Sequence, residues 1–129
     1  MTGRLILIAD EDTDTRIILR TVLERHDFDI VDTGSAEAAI AEMAGRAFDL
    51  VILNHPMMCD NGESLVHRLR AQRATQDIPI LNLTSRVVPQ FLEDAAREGV
   101  TMTLPKPINV ENVLTLVTEL TIRRFVSAS

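Results

Sequence analysis

The residues with chemical potential in this sequence fall into small, widely separated groups. Asp10, Glu11 and Asp12 stand in a row. Asn54 follows the apolar run Leu50–Leu53, Thr84 and Ser85 follow a second apolar run, and Lys106 sits between Pro105 and Pro107. Together they offer an acidic cluster, an amide, a hydroxyl pair and an ammonium. Each has an ordinary explanation when taken alone. Acidic side chains favour a helix N-terminus through its dipole, and Asp12 is expected to cap one. Lys106 alone reads as a loop lysine, and Thr84 alone as a strand-end residue. A metal site drawn from His55, Cys59 and His67 matches no standard zinc spacing and is not expected. Met57, Met58 and Cys59 are expected to line a loop, with His55 facing away from Asn54. His67, Arg68, Arg70 and Arg73 are expected to form a solvated helix face, with a docking surface as the second reading.

These groups form a site only if the elements between them bring them together. Short aliphatic or β-branched runs occur at Leu5–Ala9, Ile30–Thr33, Leu50–Leu53, Ile78–Leu83 and Met102–Leu104. Apolar runs of this length bounded by polar residues predict strands buried on both faces. Pro79 and Asn82 interrupt the fourth and the fifth is short, so both are expected nearer an edge. Between the runs lie helical patterns. Ile18, Val22 and Leu23 mark the first, and Ser35 caps an Ala- and Glu-rich second. Leu65, Val66 and Leu69 mark the third. Phe91, Leu92, Ala95 and Ala96 mark the fourth, which Gly99 ends. Asn109 caps a fifth with Val110, Val113, Leu114, Val117 and Leu120 on one face.

Strands alternating with helices imply a parallel sheet covered on both sides. Right-handed crossovers leave few topologies. The expected one is α/β: a flavodoxin-like, doubly wound (βα)5 three-layer sandwich with strand order 2-1-3-4-5. In that order the strand carboxyl ends share one sheet edge, where such folds place their sites. Asp10, Glu11, Asn54, Thr84 and Lys106 then converge. Residues 1–121 are expected to form the domain, and 122–129 a C-terminal tail or the start of a linker.

Composition narrows the function. The 129 residues suffice for one domain, and 46% hydrophobic residues permit a core. Only 3% are aromatic, with no Trp or Tyr, which argues against a base-stacking platform. A net charge of −6 disfavours phosphate backbones, so this domain is not expected to bind nucleic acid. The single cysteine suits a reducing compartment. The first apolar run ends at once in three acids, unlike a signal peptide, and nothing approaches the ~20 apolar residues of a membrane span. A soluble, cytoplasmic protein is expected.

The pieces ILIADED, FDLVILN, HPMMCDNG, IPILNLTS and TLPKP, in this order and spacing, resemble the receiver domain of two-component response regulators across roughly residues 4–121. None is specific alone; their conjunction is. In that family an Asp after strand three accepts a phosphoryl group from a histidine kinase. An acidic pair, that Asp and a loop carbonyl hold Mg²⁺, and a hydroxyl and a lysine hold the phosphoryl oxygens. Mg²⁺ takes hard oxygen ligands in an octahedron and offsets charge in phosphoryl transfer. The resemblance places Asp10 and Glu11 at the acidic pair, Pro56 at the carbonyl, Thr84 at the hydroxyl and Lys106 at the lysine. Gly62 matches the glycine closing the loop. It also implies a cis Lys106–Pro107 bond that aims the lysine inward.

The departures matter more. Asn54 stands where the phosphoacceptor Asp belongs, and an amide has no anionic oxygen to form an acyl phosphate. Glu11 stands where Asp is usual, Met58 replaces a loop proline, and Thr103 replaces the aromatic residue whose rotation reports phosphorylation. Together they point to a pseudo-receiver in a phosphorelay, not an enzyme, with no cofactor expected and at most a weak Mg²⁺ site at Asp10, Glu11 and Pro56. Its expected partner is a protein (a histidine kinase, a regulator or an output domain) or a second copy, through the region of helix four, strand five and helix five. Two alternatives stand beside it. One is a conventional aspartyl-phosphate regulator captured with Asp replaced by Asn at position 54. The other is a small flavodoxin-like ligand-binding or enzymatic domain, disfavoured because Asp10, Glu11 and Asp12 would repel phosphate where a Gly-rich loop belongs.

Overall fold

In a computed structural model, residues 3–128 are described, with side chains through residue 122. Strands β1 (Leu5–Ala9), β2 (Asp29–Thr33), β3 (Leu50–Leu53), β4 (Ile80–Thr84) and β5 (Met102–Pro105) alternate with helices. These are α1 (Thr13–Arg25), α2 (Ala36–Gly45), α3 (Leu65–Ala71), α4 (Pro89–Glu98) and α5 (Val110–Ala128). The sheet is parallel throughout, in the order β2-β1-β3-β4-β5. Its register aligns Ala9 with Leu53 and Thr33, and Thr84 with Pro105. The residues that follow β1, β3, β4 and β5 therefore leave the sheet on one edge.

Strand periodicity divides the core in two. Leu7, Ala9, Val51, Leu53 and Ile80 pack against Ala36 and Ala39 of α2, Leu65, Val66 and Leu69 of α3, and Ala95 of α4. The alternate residues Ile6, Ile8, Leu50, Ile52, Leu81 and Leu83 pack against Leu19 and Leu23 of α1 and Val113, Val117 and Leu120 of α5. Both faces are covered by aliphatic side chains, each worth about 1.5–3 kcal/mol when fully buried.

Local chemistry sets the helix ends. Ser35 Oγ accepts from the Ala38 N–H at 3.1 Å, and Asn109 Oδ1 from the Asn112 N–H at 3.0 Å. Gly99 ends α4 with φ 124°, a conformation that favours glycine.

Several expectations need correction. β4 lies inside the sheet with every residue buried: Pro79 precedes the strand instead of breaking it, and Asn82 hydrogen-bonds within the core. The buried stripe of α1 is Thr15, Leu19 and Leu23, so Ile18 faces outward. Thr15 can enter because its hydroxyl donates to Asp12. Met57 and Cys59 belong to the core, and of the three residues Met57, Met58 and Cys59 only Met58 is exposed. Arg70 is no part of a solvated patch: its guanidinium donates to the carbonyls of Gly99, Gln76 and Ile78. The segment expected as a C-terminal tail or the start of a linker is helical as far as Ala128, as the end of α5; no Gly or Pro interrupts it. Among the described residues no helix is long and apolar enough to cross a membrane.

Candidate functional site

The β1 end supplies the buried centre of the edge. Asp10 is 2% exposed. Its Oδ1 accepts from the Asp12 N–H at 2.9 Å, and its Oδ2 lies 3.0 Å from Lys106 Nζ. Lys106 reaches it from the turn after β5, where its N–H donates to the Thr84 carbonyl at 2.8 Å. The Lys106–Pro107 bond is cis, as is His55–Pro56. Arg16 fixes the same corner from α1, donating to the Asp10 carbonyl at 2.6 Å and pairing with Asp32 at 3.3 Å.

The neighbouring acids differ in kind. Glu11 is exposed. Asp12 caps α1, accepting from the Asp14 N–H at 3.1 Å and the Thr15 hydroxyl at 2.8 Å. The Thr15 hydroxyl holds the Asp12 carboxyl below its ordinary range, against the opposing effect of desolvation. The capping expectation for Asp12 is met.

Asn54 follows β3 and is half-buried, and its N–H donates to the Ala9 carbonyl at 3.3 Å. Pro56 is exposed. Thr84 is buried, and its hydroxyl accepts from the Arg86 N–H at 3.0 Å. Thr103 is half-buried, and its Oγ1 lies 3.4 Å from Asn82 Nδ2. The sequence-derived residues thus reach one edge by different bonds. Asp10 and Lys106 touch directly. Thr84 meets Lys106 through the main chain, and Asn54 meets β1 through the main chain.

The loop after β3 is built from its own polar residues. The N–H of Gly62, at φ 90°, donates to the Cys59 carbonyl at 3.0 Å. Glu63 gathers Asn61, His67 and Arg68. The Asn61 amide, then His67, hold its carboxyl below the ordinary range. Burial pushes the Cys59 thiol up, away from reactive thiolate character. Sequence reading missed Arg16, Asn82 and Glu98. The signal for Asn82 was a lone amide inside an apolar strand, which must find partners when buried.

These residues do not fit a tight Mg²⁺ site. Both oxygens of Asp10 are engaged, one by an ammonium. Asn54 brings no charge. Among the described residues no group of three His, Cys, Asp or Glu is placed to hold a metal ion.

Comparison with known proteins places the chain in context. A family model described as the response regulator receiver domain matches residues 6–118. The DNA-binding transcriptional regulator NtrC of Rhizobium meliloti is 28% identical over 117 residues, covering 91% of this chain and 24% of that protein. The phosphate regulon transcriptional regulatory protein PhoB of Pseudomonas aeruginosa is 30% identical over 86 residues, covering 67% of this chain and 38% of that protein. The chain therefore spans well under half the length of these two relatives. Among solved structures, a two-component response regulator from Clostridium difficile superposes with a TM-score of 0.83 at 26% identity, covering 95% of this chain and 98% of that one. The chemotaxis response regulator CheY4 of Vibrio cholerae gives 0.81 at 22% identity, covering 91% and 98%, a likeness of fold.

Proposed function

The chain belongs to the response regulator receiver domain family, and we propose that within it this chain signals by protein contact without ordinary aspartyl phosphorylation. Asn54 carries the reading. An acyl phosphate forms when a carboxylate oxygen attacks phosphorus, and the amide at position 54 has no such oxygen. The direct Asp10–Lys106 ion pair at 3.0 Å supports it, since the ammonium that a phosphoryl oxygen would need is already held by Asp10. Residues 1–121 are the signalling unit of this reading, and the cytoplasm is its place of action. The domain is no enzyme and binds no nucleic acid itself. Its partner is a histidine kinase, a regulator, an output domain or a second copy.

The contact face is α4, β5 and α5: Met102 and Val110 are exposed on β5 and α5, and Val87 and Val88 are exposed in the segment that leads into α4. Thr103, a short side chain at the switch position, leaves that face without a rotating aromatic.

Intact mass after incubation with acetyl phosphate and Mg²⁺ tests the reading. No phosphoryl gain is expected. A stoichiometric, Mg²⁺-dependent adduct on any pocket residue overturns it. Asn61-Gly62 is prone to deamidation, so a drift of about one dalton is scored separately by peptide mapping.

A further inference from the structure

His55 directly follows position 54 and is 4% exposed, between half-buried Asn54 and exposed Pro56. Its main-chain N–H donates to Asn82 Oδ1 at 2.8 Å. The Asn82 amide in turn lies 3.4 Å from Thr103 Oγ1 on β5. The imidazole reaches α4, with Nε2 2.9 Å from Glu98 Oε2 in its last turn. The other oxygen of Glu98 accepts from the hydroxyl of Ser64, the N-cap of α3, at 3.1 Å. Phe91, in the first turn of α4, has its ring centre 6.3 Å from that of His55.

The ring nitrogen Nδ1 is buried and has no hydrogen-bond partner among the described residues. For the neutral ring this favours one tautomer. With hydrogen on Nε2, the ring donates to the Glu98 carboxylate. The other tautomer would set a lone pair against the carboxylate and bury an unpaired donor. Glu98 is therefore the ring's single polar anchor among the described residues. Asp94, on the same helix, is turned to Gln90 and Arg97 instead.

We propose that His55 is the coupling residue of this chain, tying the position-54 end of β3 to α4 through Glu98 and to β5 through Asn82. This inference rests on the reading of the α4 and β5 face as a contact surface, and names how the pocket end and that face inform each other. A bond of 2.9 Å between a packed ring and a helix end has little slack. A shift of the β3 end must move α4 or break the bond, so the two ends share one conformational equilibrium. The route bypasses Thr84, whose hydroxyl is held by the Arg86 N–H.

Amide resonances of the ¹⁵N-labelled full chain test this. Asn54→Asp serves as a perturbation at the pocket end, placed in three backgrounds: unchanged, Glu98→Ala and Asp94→Ala. The Glu98 side chain is 43% exposed, so its truncation removes no buried apolar group; it does strip His55 Nε2 and the Ser64 hydroxyl of their carboxylate, and circular dichroism of Glu98→Ala checks that the fold is kept. In the unchanged and Asp94→Ala backgrounds, Asn54→Asp is expected to shift amides 91–98 beyond those of α2. In the Glu98→Ala background that α4 response is lost, while shifts around position 54 remain. An α4 response that survives Glu98→Ala overturns the proposal, and so does its absence from the unchanged background. Phosphorylation of the parent chain is read separately by mass, and the oligomeric state of the parent and of Met102→Glu by analytical ultracentrifugation reads self-association through the contact face, so failure of the coupling and failure of the proposed function are told apart.

Discussion

Asp10 and Lys106 form the direct ion pair of the candidate site at the strand ends. Asp10 is nearly inaccessible, and among the described residues the Lys106 ammonium is the one partner of its Oδ2. Replacing that ammonium by an apolar end, Lys106→Met, keeps the stem and removes the donor. A buried acceptor left short of a partner costs about 1–3 kcal/mol. For a chain of this size that lowers the melting temperature by roughly 4 °C per kcal/mol. Thermal unfolding is expected to show the loss at neutral pH, and an unchanged midpoint would mean that water replaces the ammonium at no cost. Asp12 gives a pH signature. Its folded carboxyl titrates below its ordinary value because Thr15 donates to the ionised form. A depressed carboxyl contributes stability that is fully present above the unfolded value and is lost as pH falls through the folded one, so the window lies below about pH 4. Urea midpoints of the parent are expected to fall more steeply between pH 5 and pH 3 than those of Asp12→Asn, which keeps a capping oxygen without a charge. Parallel profiles would remove Asp12 from the acid response.

At the scale of elements, the turn joining α4 to β5 is fastened from outside. Gly99 adopts φ 124°, and a Cβ placed there would lie 2.8 Å from Arg70 Cγ. Arg70 cannot easily yield, because its guanidinium holds the Gly99 carbonyl at 2.8 Å through Nη2 and the Ile78 carbonyl at 2.6 Å through Nη1. Gly99→Ala is therefore expected to cost about 1–3 kcal/mol, from backbone strain and displacement of Arg70. A chemical-denaturation midpoint equal to the parent's would show that the turn relaxes freely. This turn also shows what was legible in the chain. Gly99 as a helix end was readable, because a glycine after a periodic apolar pattern has a local cause. Arg70 was not: it lies in a run with His67, Arg68 and Arg73, and nothing local reveals that its carbonyl partners come from β4's approach and the end of α4. The strands were readable as apolar runs bounded by polar residues. The setting of β4 was obscured by Asn82, whose partners, His55 and Thr103, are brought by the fold. The α1 face was misread by choosing Ile18 over Thr15, whose polarity is cancelled by Asp12. Asp10 and Lys106, 96 residues apart, were joined by topology and by resemblance, since spacing alone relates neither to the other.

At the scale of the whole molecule, the parallel register delivers Asp10, Glu11, Asn54 and Lys106 to one edge, and the balance of charge there tests whether the edge acts as one site. Asn54→Asp restores a carboxylate beside the β1 end, where the N–H of residue 54 already meets the Ala9 carbonyl. A third negative group facing Asp10 and Glu11 at ~4 Å and an effective dielectric near 20 costs up to about 4 kcal/mol per contact before solvent screening. Lys106 offsets part of this, Glu11 is exposed and can swing away, and the new carboxyl can take up a proton. The realised loss is expected to be about 1–2 kcal/mol. Circular dichroism follows the unfolding, since the chain has no Trp or Tyr to report by fluorescence. In EDTA, Asn54→Asp is expected to melt roughly 4–8 °C below the parent. Millimolar Mg²⁺ should recover much of that difference, because a cation that binds only the folded state stabilises it by mass action. The parent, with Asp10 committed to Lys106 and an uncharged amide at position 54, should respond little to Mg²⁺. If parent and variant melt together with and without the cation, residue 54 does not share its field with the acidic pair, and the assignment of these strand ends to one pocket fails.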